Sequence, residues 1–232
     1  MTQPSVITID GPAASGKSTI GHMLANELDY IYLDTGSMYR AVTLAALNAG
    51  INVADEDEVT LLSKKIDMDV KPLASEEDGR QYTVLLDGSD VTWELRTPLV
   101  DTHVSLVSSY PGVRQEMVRR QRQFGERGHI VMVGRDIGTV VMPTAPLKLY
   151  ITASPEERAR RRWIDRKEQG HSANYDAILT DVNRRDQFDS SREVSPLKVA
   201  EDAIIINNTG RSPEIILAEI LDLIKNSTLV GT

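Results

Sequence analysis

A lysine and a hydroxyl residue set directly behind a glycine, with another glycine five positions earlier, can cradle a chain of phosphates. The sequence carries that spacing in Gly11-Pro12-Ala13-Ala14-Ser15-Gly16-Lys17-Ser18. An alternating apolar run, Val6-Ile7-Thr8-Ile9, precedes it, and a segment with Ile20, Met23, Leu24 and Leu28 on one helical face follows. Strand, glycine loop and helix in that order aim consecutive backbone N–H groups and a helix N-terminus at one anion. Glycines at both ends let the backbone curl where a Cβ would intrude. Lys17 is expected to reach the β- and γ-phosphates of ATP, and the Ser18 hydroxyl to take a position on Mg2+. The candidate ATP-binding set is Gly11, Pro12, Ala13, Ala14, Ser15, Gly16, Lys17, Ser18 and Thr19.

Such a loop indicates the cofactor class and leaves the reaction open. Guanine-nucleotide switches add a D-x-x-G turn, and no aspartate here has glycine three residues on. Asn183-Arg184-Arg185-Asp186 is similar to their base-reading N-K-x-D, but it has arginine in place of lysine and falls inside an expected helix. A small-molecule kinase needs instead a second anion site, built from arginines at the C-terminal mouths of neighbouring strands, where doubly wound sheets bind their ligands. Thr35 and Arg40 follow the apolar run Tyr30-Ile31-Tyr32-Leu33, and Arg135-Asp136 follows His129-Ile130-Val131-Met132-Val133. Both placements meet that demand. Arg158, Arg161 and Arg162 recur at i, i+3 and i+4 on a very basic helix and suggest a lid over polyphosphate. Arg185, Asp189 and Arg192 make one stripe at i, i+4 and i+7, which taken alone reads as a surface salt-bridge ladder.

The elements that must position these groups are legible from period and caps. A helix is expected to about Asn48 and stops at Gly50, and Asp55 with Glu58 starts another carrying Val59, Leu62 and Ile66 inward. From Asp67 to about Thr92 the period becomes alternating, giving three short strands with Asp87-Gly88 at a tight hairpin and Glu76-Glu77-Asp78-Gly79 as a solvated turn. Thr97-Pro98 opens a helix with Leu99, Val100, Val104 and Val107 as its apolar face. Pro111 opens the next, with Val113, Met117 and Val118 inward and Arg114, Arg119, Arg120 and Arg122 on a wet face. Leu147–Thr152 is a strand, Ser154-Pro155 caps the basic helix, and a further helix starts near Asn174. Ala203–Asn207 reads as a last buried strand before an amphipathic terminal helix with Ile216, Ile220 and Leu223.

A chain of 232 residues with 41% hydrophobic content can bury one substantial core. Its net charge of -8 and pI of about 5.1 argue against a generic nucleic-acid or anionic-membrane surface, so any anion site is local. With no cysteine, thiolate catalysis, disulfides and zinc–sulfur sites are excluded. His22, His103, His129 and His171 lack metal-ligand spacing. No basic and apolar leader and no membrane-length apolar run is present, so a cytoplasmic protein is expected, and a monomer.

Taken together, Asp34-Thr35-Gly36-Ser37-Met38-Tyr39-Arg40, Arg96-Thr97, Arg114 with Arg119-Arg120-Gln121-Arg122, Gly134-Arg135-Asp136-Ile137-Gly138-Thr139 and Arg185-Asp186-x-x-Asp189-x-x-Arg192 closely resemble bacterial cytidylate kinases. The resemblance runs in order along nearly the whole chain and includes the antiparallel insert. It implies an α/β fold of the P-loop type, three layers with a five-stranded parallel sheet flanked by helices, plus a small antiparallel β insert. The implied organisation is residues 1–62 and 98–232 as core, 63–97 as the insert binding the monophosphate, and a lid at about 155–172. It further implies that Thr35, Arg40 and Arg135 hold the acceptor's phosphate, that Ser105, Arg114, Asp136 and Arg192 read cytosine, and that Arg185 with Asp189 holds the sugar. Relatives often have serine where this chain has Thr35; the hydroxyl is kept. Lys17, Arg135 and the three lid arginines would serve catalysis, with ATP and Mg2+ as donor and cofactor and CMP or dCMP as acceptor. Another acceptor such as UMP or shikimate, or a non-catalytic ATP-binding module, are the competing expectations.

Overall fold

The computed structural model describes residues 3–72, 78–168, 170 and 172–227. His171, Glu76, Glu77 and the tail beyond residue 227 lie outside them. The first elements follow from sharply local signals. β1 (Val6–Asp10) is buried along its whole length, and α1 (Lys17–Leu28) starts straight after Gly16. β2 (Ile31–Asp34) is followed at once by α2 (Thr35–Asn48), because the Asp34 carboxylate accepts from the Gly36 amide at 3.0 Å and caps the helix. Thr35 is therefore the first residue of a helix. α3 (Glu56–Lys65) is capped by Asp55, which accepts from the Glu58 amide.

The insert is antiparallel, with β3 (Met68–Pro72), β4 (Tyr82–Leu86) and β5 (Ser89–Asp90) in that order. Asp87 at φ 49° and Gly88 at φ 79° form the two-residue turn that pairs Leu86 with Ser89. The third strand is only two residues long. α4 (Pro98–Val107) and α5 (Pro111–Gly125) each begin on a proline. Val100, Val104 and Val107 are buried, but Leu99 is 56% exposed: it sits one position, or about 100°, off that i, i+4, i+7 stripe.

β6 (Ile130–Gly134) ends at Arg135-Asp136 and passes into a single π-helical turn, Ile137–Val141. β7 (Leu147–Thr152), α6 (Pro155–Glu168), α7 (Tyr175–Ser191), β8 (Ile204–Asn207) and α8 (Pro213–Ser227) complete the chain. β2-β6-β1-β7-β8 is the order of the parallel sheet, with Ile7 opposite Leu147 and Leu149 opposite Ile204. β8 is thus an edge strand. Ile206 is buried and Ile205 is 60% exposed, so the strand is half-buried, not sealed on both faces.

By compactness the chain divides into Met1–Tyr30 with Val131–Thr232, and Ile31–Ile130. In the first unit the core gathers Ile7, Ile9, Leu24, Leu149 and Ile151 with Ile216 and Ile220 of α8, all essentially sealed from water. Burying each such side chain stabilises by about 1.5–3 kcal/mol. In the second unit Met38, Ala41, Val42 and Ala46 of α2 are buried with Val59 of α3, Val113 of α5 and Val100 of α4. There Arg120 reaches from α5 to the Ser63 and Ile66 carbonyls at 3.1 and 3.0 Å, satisfying the end of α3. Arg120 is therefore a structural clamp, and Arg114 is 3% exposed, so the wet arginine face shrinks to Arg119 and Arg122. Among the described residues no helix is long and apolar enough to cross a membrane, and no group of three or more His, Asp or Glu is placed to hold a metal.

Candidate active site

In the first unit, β1 delivers the chain into a loop with glycine at both ends, where positive φ is required. Gly11 has φ 152°, and a Cβ there would lie 2.0 Å from the Ile151 carbonyl oxygen. Ala14 at φ 58° and Gly16 at φ 87° are left-handed, which turns successive N–H groups toward one side. Gly16 offers no side chain to cap α1, and no acidic residue sits in the helix's first turn, so its N-terminus keeps its positive end for an anion. Lys17, 6% exposed, donates its ammonium to the Pro12 carbonyl at 2.9 Å across the loop. The Ser15 hydroxyl is buried with no partner among the described residues. Glycine cradle, oriented amides and ammonium fit a polyphosphate, and the Ser18 hydroxyl at the helix start suits a hard cation.

Two residues not singled out from the sequence support this loop. Asn208 follows β8, is 3% exposed, and donates from its side-chain amide to the Ser15 carbonyl at 2.6 Å. A Cβ on Gly16 would lie 2.9 Å from that amide nitrogen. Asp10, the last residue of β1, accepts the Ile137 and Gly138 amides at 2.8 and 2.7 Å. A polar residue at the C-terminal end of a parallel strand was the available signal in both cases.

The basic helix α6 turns its expected lid arginines onto acids and carbonyls. Arg158, 2% exposed, makes a bidentate pair with Asp186 of α7 at 2.9 and 2.5 Å and donates to the Ala13 carbonyl of the loop at 3.2 Å. Arg161 donates to Glu157, to the Ser15 carbonyl at 3.4 Å and to the Asn208 carbonyl at 3.0 Å. Arg162 reaches Asp181 at 3.1 Å. Ala159, Ile178 and Val182 form the small apolar core between α6 and α7 that holds these pairs in register.

The stripe on α7 is more than a surface ladder. Asp189 accepts from Arg135 at 2.9 Å and lies 3.8 Å from Arg192, whose guanidinium also donates to the Ser195 carbonyl at 2.8 Å. Burial pushes the Asp189 carboxyl upward, but the charges of Arg135 and Arg192 outweigh it and hold it below the usual carboxylate range; Arg185 adds to that field. Arg135, Asp189 and Arg192 are thus brought into one cluster, and Asp136, 4% exposed, is next to Arg135.

For Asp10, burial pushes the carboxyl up to about 6, against the pull of the Gly138 and Ile137 amides; Asp136 raises it further and Lys17 lowers it. A carboxyl whose folded value lies above its unfolded 3.8 favours the folded state most at low pH, and that contribution fades as pH rises from about 4 through about 6. The unfolding free energy of the natural chain, relative to Asp10→Asn, should fall by on the order of 3 kcal/mol between pH 4 and 7. Urea midpoints across that range measure it. Carboxyls held low by arginines, such as Glu157 at about 2, drive stability the other way but are common to both proteins.

In the second unit Thr35 opens α2 and is 3% exposed. Arg40 donates to the Leu95 carbonyl at 2.9 Å and pairs with Asp101 of α4 at 2.6 Å, a partner 61 positions on that no local pattern marks. Arg114 donates to the Ser108 carbonyl at 2.9 Å and lies over the Tyr39 ring at 5.3 Å. Ser105 lies half-buried on α4, where its carbonyl accepts the Ser108 hydroxyl at 3.1 Å.

Comparison with known proteins gives consistent matches. A family model described as cytidylate kinase matches residues 7–226. The cytidylate kinase of Bacillus pumilus is 49% identical over 216 residues, 93% of this chain and 94% of that relative. That of Roseiflexus castenholzii is 50% identical over 221 residues, covering 95% and 94%. An uncharacterized protein from Eubacterium ventriosum, known from its crystal structure, aligns with a TM-score of 0.52 at 10% identity over 95% of this chain and 98% of that one, a likeness of fold alone.

Proposed function

Because the chain belongs to the cytidylate kinase family, we propose that it moves the γ-phosphoryl group of ATP onto CMP or dCMP, giving ADP and CDP or dCDP. The observation that carries the reading is the place of Arg135. It directly follows β6, one of whose two neighbours in the sheet is β1, the strand that feeds the phosphate loop, and Asp189 accepts from its guanidinium. A donor loop and an acceptor arginine at adjacent strand mouths are what phosphoryl transfer between two nucleotides requires.

The acceptor's phosphate is an oxyanion at neutral pH, so no general base is needed. Its oxygen forms a bond to the γ-phosphorus as the bond to the departing ADP oxygen breaks, and the protein's work is alignment and charge stabilisation. Lys17 exchanges the Pro12 carbonyl for the β- and γ-phosphate oxygens. Arg135, aided by Arg161 and Arg162, neutralises charge on the migrating group. Ser18 is the residue we assign to Mg2+, which when bound supplies further neutralisation of the phosphates.

On the acceptor side, Thr35, Arg40 and Arg135 bind phosphate, Arg185 and Asp189 the sugar, and Ser105, Arg114, Asp136 and Arg192 the base. Cytosine's edge offers an N4 amino donor and the N3 and O2 acceptors, so it needs both a carboxylate and arginines. The net charge of -8 supports small nucleotides over nucleic acid as partners, and a monomer in the cytoplasm is the working form we propose.

An ADP-release assay over CMP, dCMP, UMP, dTMP, AMP and shikimate tests this. CMP and dCMP should be turned over far faster than the rest. Preference for UMP or shikimate, or release that ignores the acceptor, overturns the reading.

A further inference from the structure

We propose that Asp10 is a positioning residue for the transfer: its carboxylate ties the turn that carries Arg135 and Asp136 to the root of the phosphate loop. Asp10 is the residue immediately before Gly11, and its two oxygens accept from the two amides immediately after Asp136, at 2.8 Å from Ile137 and 2.7 Å from Gly138. One buried side chain therefore joins the segment that holds the donor to the segment that presents the acceptor arginine. The turn it grips is π-helical, and Asp136, at its N-terminus with φ -142°, makes no side-chain capping bond of its own. Single π-turns concentrate at functional sites because they re-aim the residues beside them.

Gly138 is shaped to the same contact. A Cβ there would lie 3.0 Å from the Thr8 hydroxyl, 3.2 Å from the Lys148 side chain and 3.3 Å from the Asp10 carboxylate, so the bare backbone is what permits the approach. A scaffold alone gains little from a charge at this depth: Asp10 is 4% exposed, and burial opposes its ionisation. Retaining an ionised carboxylate where a neutral group would cost less is the pattern of a residue kept for the reaction. Asp136, Lys17 and Tyr150 are titratable groups that share its field, and the Lys148 side chain flanks the same contact.

The inference rests on the kinase reading above, and the test separates the two. Purified wild type, Asp10→Asn and Gly138→Ala are compared for CMP-dependent ADP release, ATP affinity by calorimetric titration, and thermal midpoint. Asp10→Asn keeps one acceptor but turns an amide donor toward a backbone N–H, loosening the turn. A misplacement on the ångström scale costs about 10²-fold in rate, so kcat should fall at least about 30-fold while ATP affinity stays within about threefold. Gly138→Ala, which crowds the contact while leaving the carboxylate itself chemically unchanged, should lower kcat in the same selective way, and it carries the test should Asp10→Asn not fold. A kcat within about threefold of wild type overturns the inference, on that same scale. So does a parallel loss of kcat, ATP affinity and thermal midpoint, which marks a merely structural residue. A wild type with no CMP-dependent turnover overturns the kinase reading itself, and the inference with it.

Discussion

Lys17→Ala lowers kcat by about 10²-fold or more, the scale on which a preorganised electrostatic donor is lost. Its ammonium lies 2.9 Å from the Pro12 carbonyl, inside the loop it would share with the phosphates, and the side chain is nearly sealed from water. A charge in that position needs no reorganisation when the γ-phosphoryl group begins to move, so its removal is felt in the chemical step more than in folding. Loss of the ammonium also removes a buried cation from an otherwise closed loop, and the fold should tolerate this because water entering the space left by the side chain can donate to the Pro12 carbonyl in its place. Steady-state turnover at saturating ATP and CMP, with circular dichroism as a control on folding, gives the answer. Near-normal turnover would remove Lys17 from the mechanism.

Asp136→Ala and Arg192→Met separate the two substrates. Each should lower kcat/KM for CMP by about 10- to 150-fold, the range of one lost hydrogen bond to a charged group, and leave ATP affinity close to wild type. In the proposed assignment Asp136 is the acceptor for the cytosine amino group. Arg192 would act twice, since it also lies 3.8 Å from Asp189, which pairs with Arg135 at 2.9 Å. Its replacement should therefore depress kcat as well as raise KM, whereas Asp136→Ala should act mainly on KM. Equal losses for CMP and ATP in either variant would indicate a damaged fold and count against the base-reading assignment.

The phosphate loop behind the first expectation is legible in the order of residues, for local reasons, whereas the roles of Asp136 and Arg192 behind the second come from the family resemblance. A strand that alternates, a loop with glycine where φ must be positive and a helix that opens on lysine and serine are each set by contacts a few residues apart. So are the Asp55 cap, the Asp87-Gly88 hairpin and the proline starts of α4 and α5. Sterics and short-range hydrogen bonds decide such features, and the chain cannot avoid them wherever it folds.

What stands opposite each side chain is a different matter. Arg158 reads as a lid cation and is buried against Asp186 and the Ala13 carbonyl; Arg114 reads as a wet face and is buried, with its guanidinium over the Tyr39 ring. Asp10 meets Gly138 across 128 residues and Asn208 meets Ser15 across 193. Periodicity shows which residues share a helix face or a strand mouth, but only the order in which strands assemble, β2-β6-β1-β7-β8, sets which mouths become neighbours. That order depends on long-range packing of apolar faces, to which no short window of residues is sensitive. The chemistry was therefore written in residue types, and its aim was decided by the sheet.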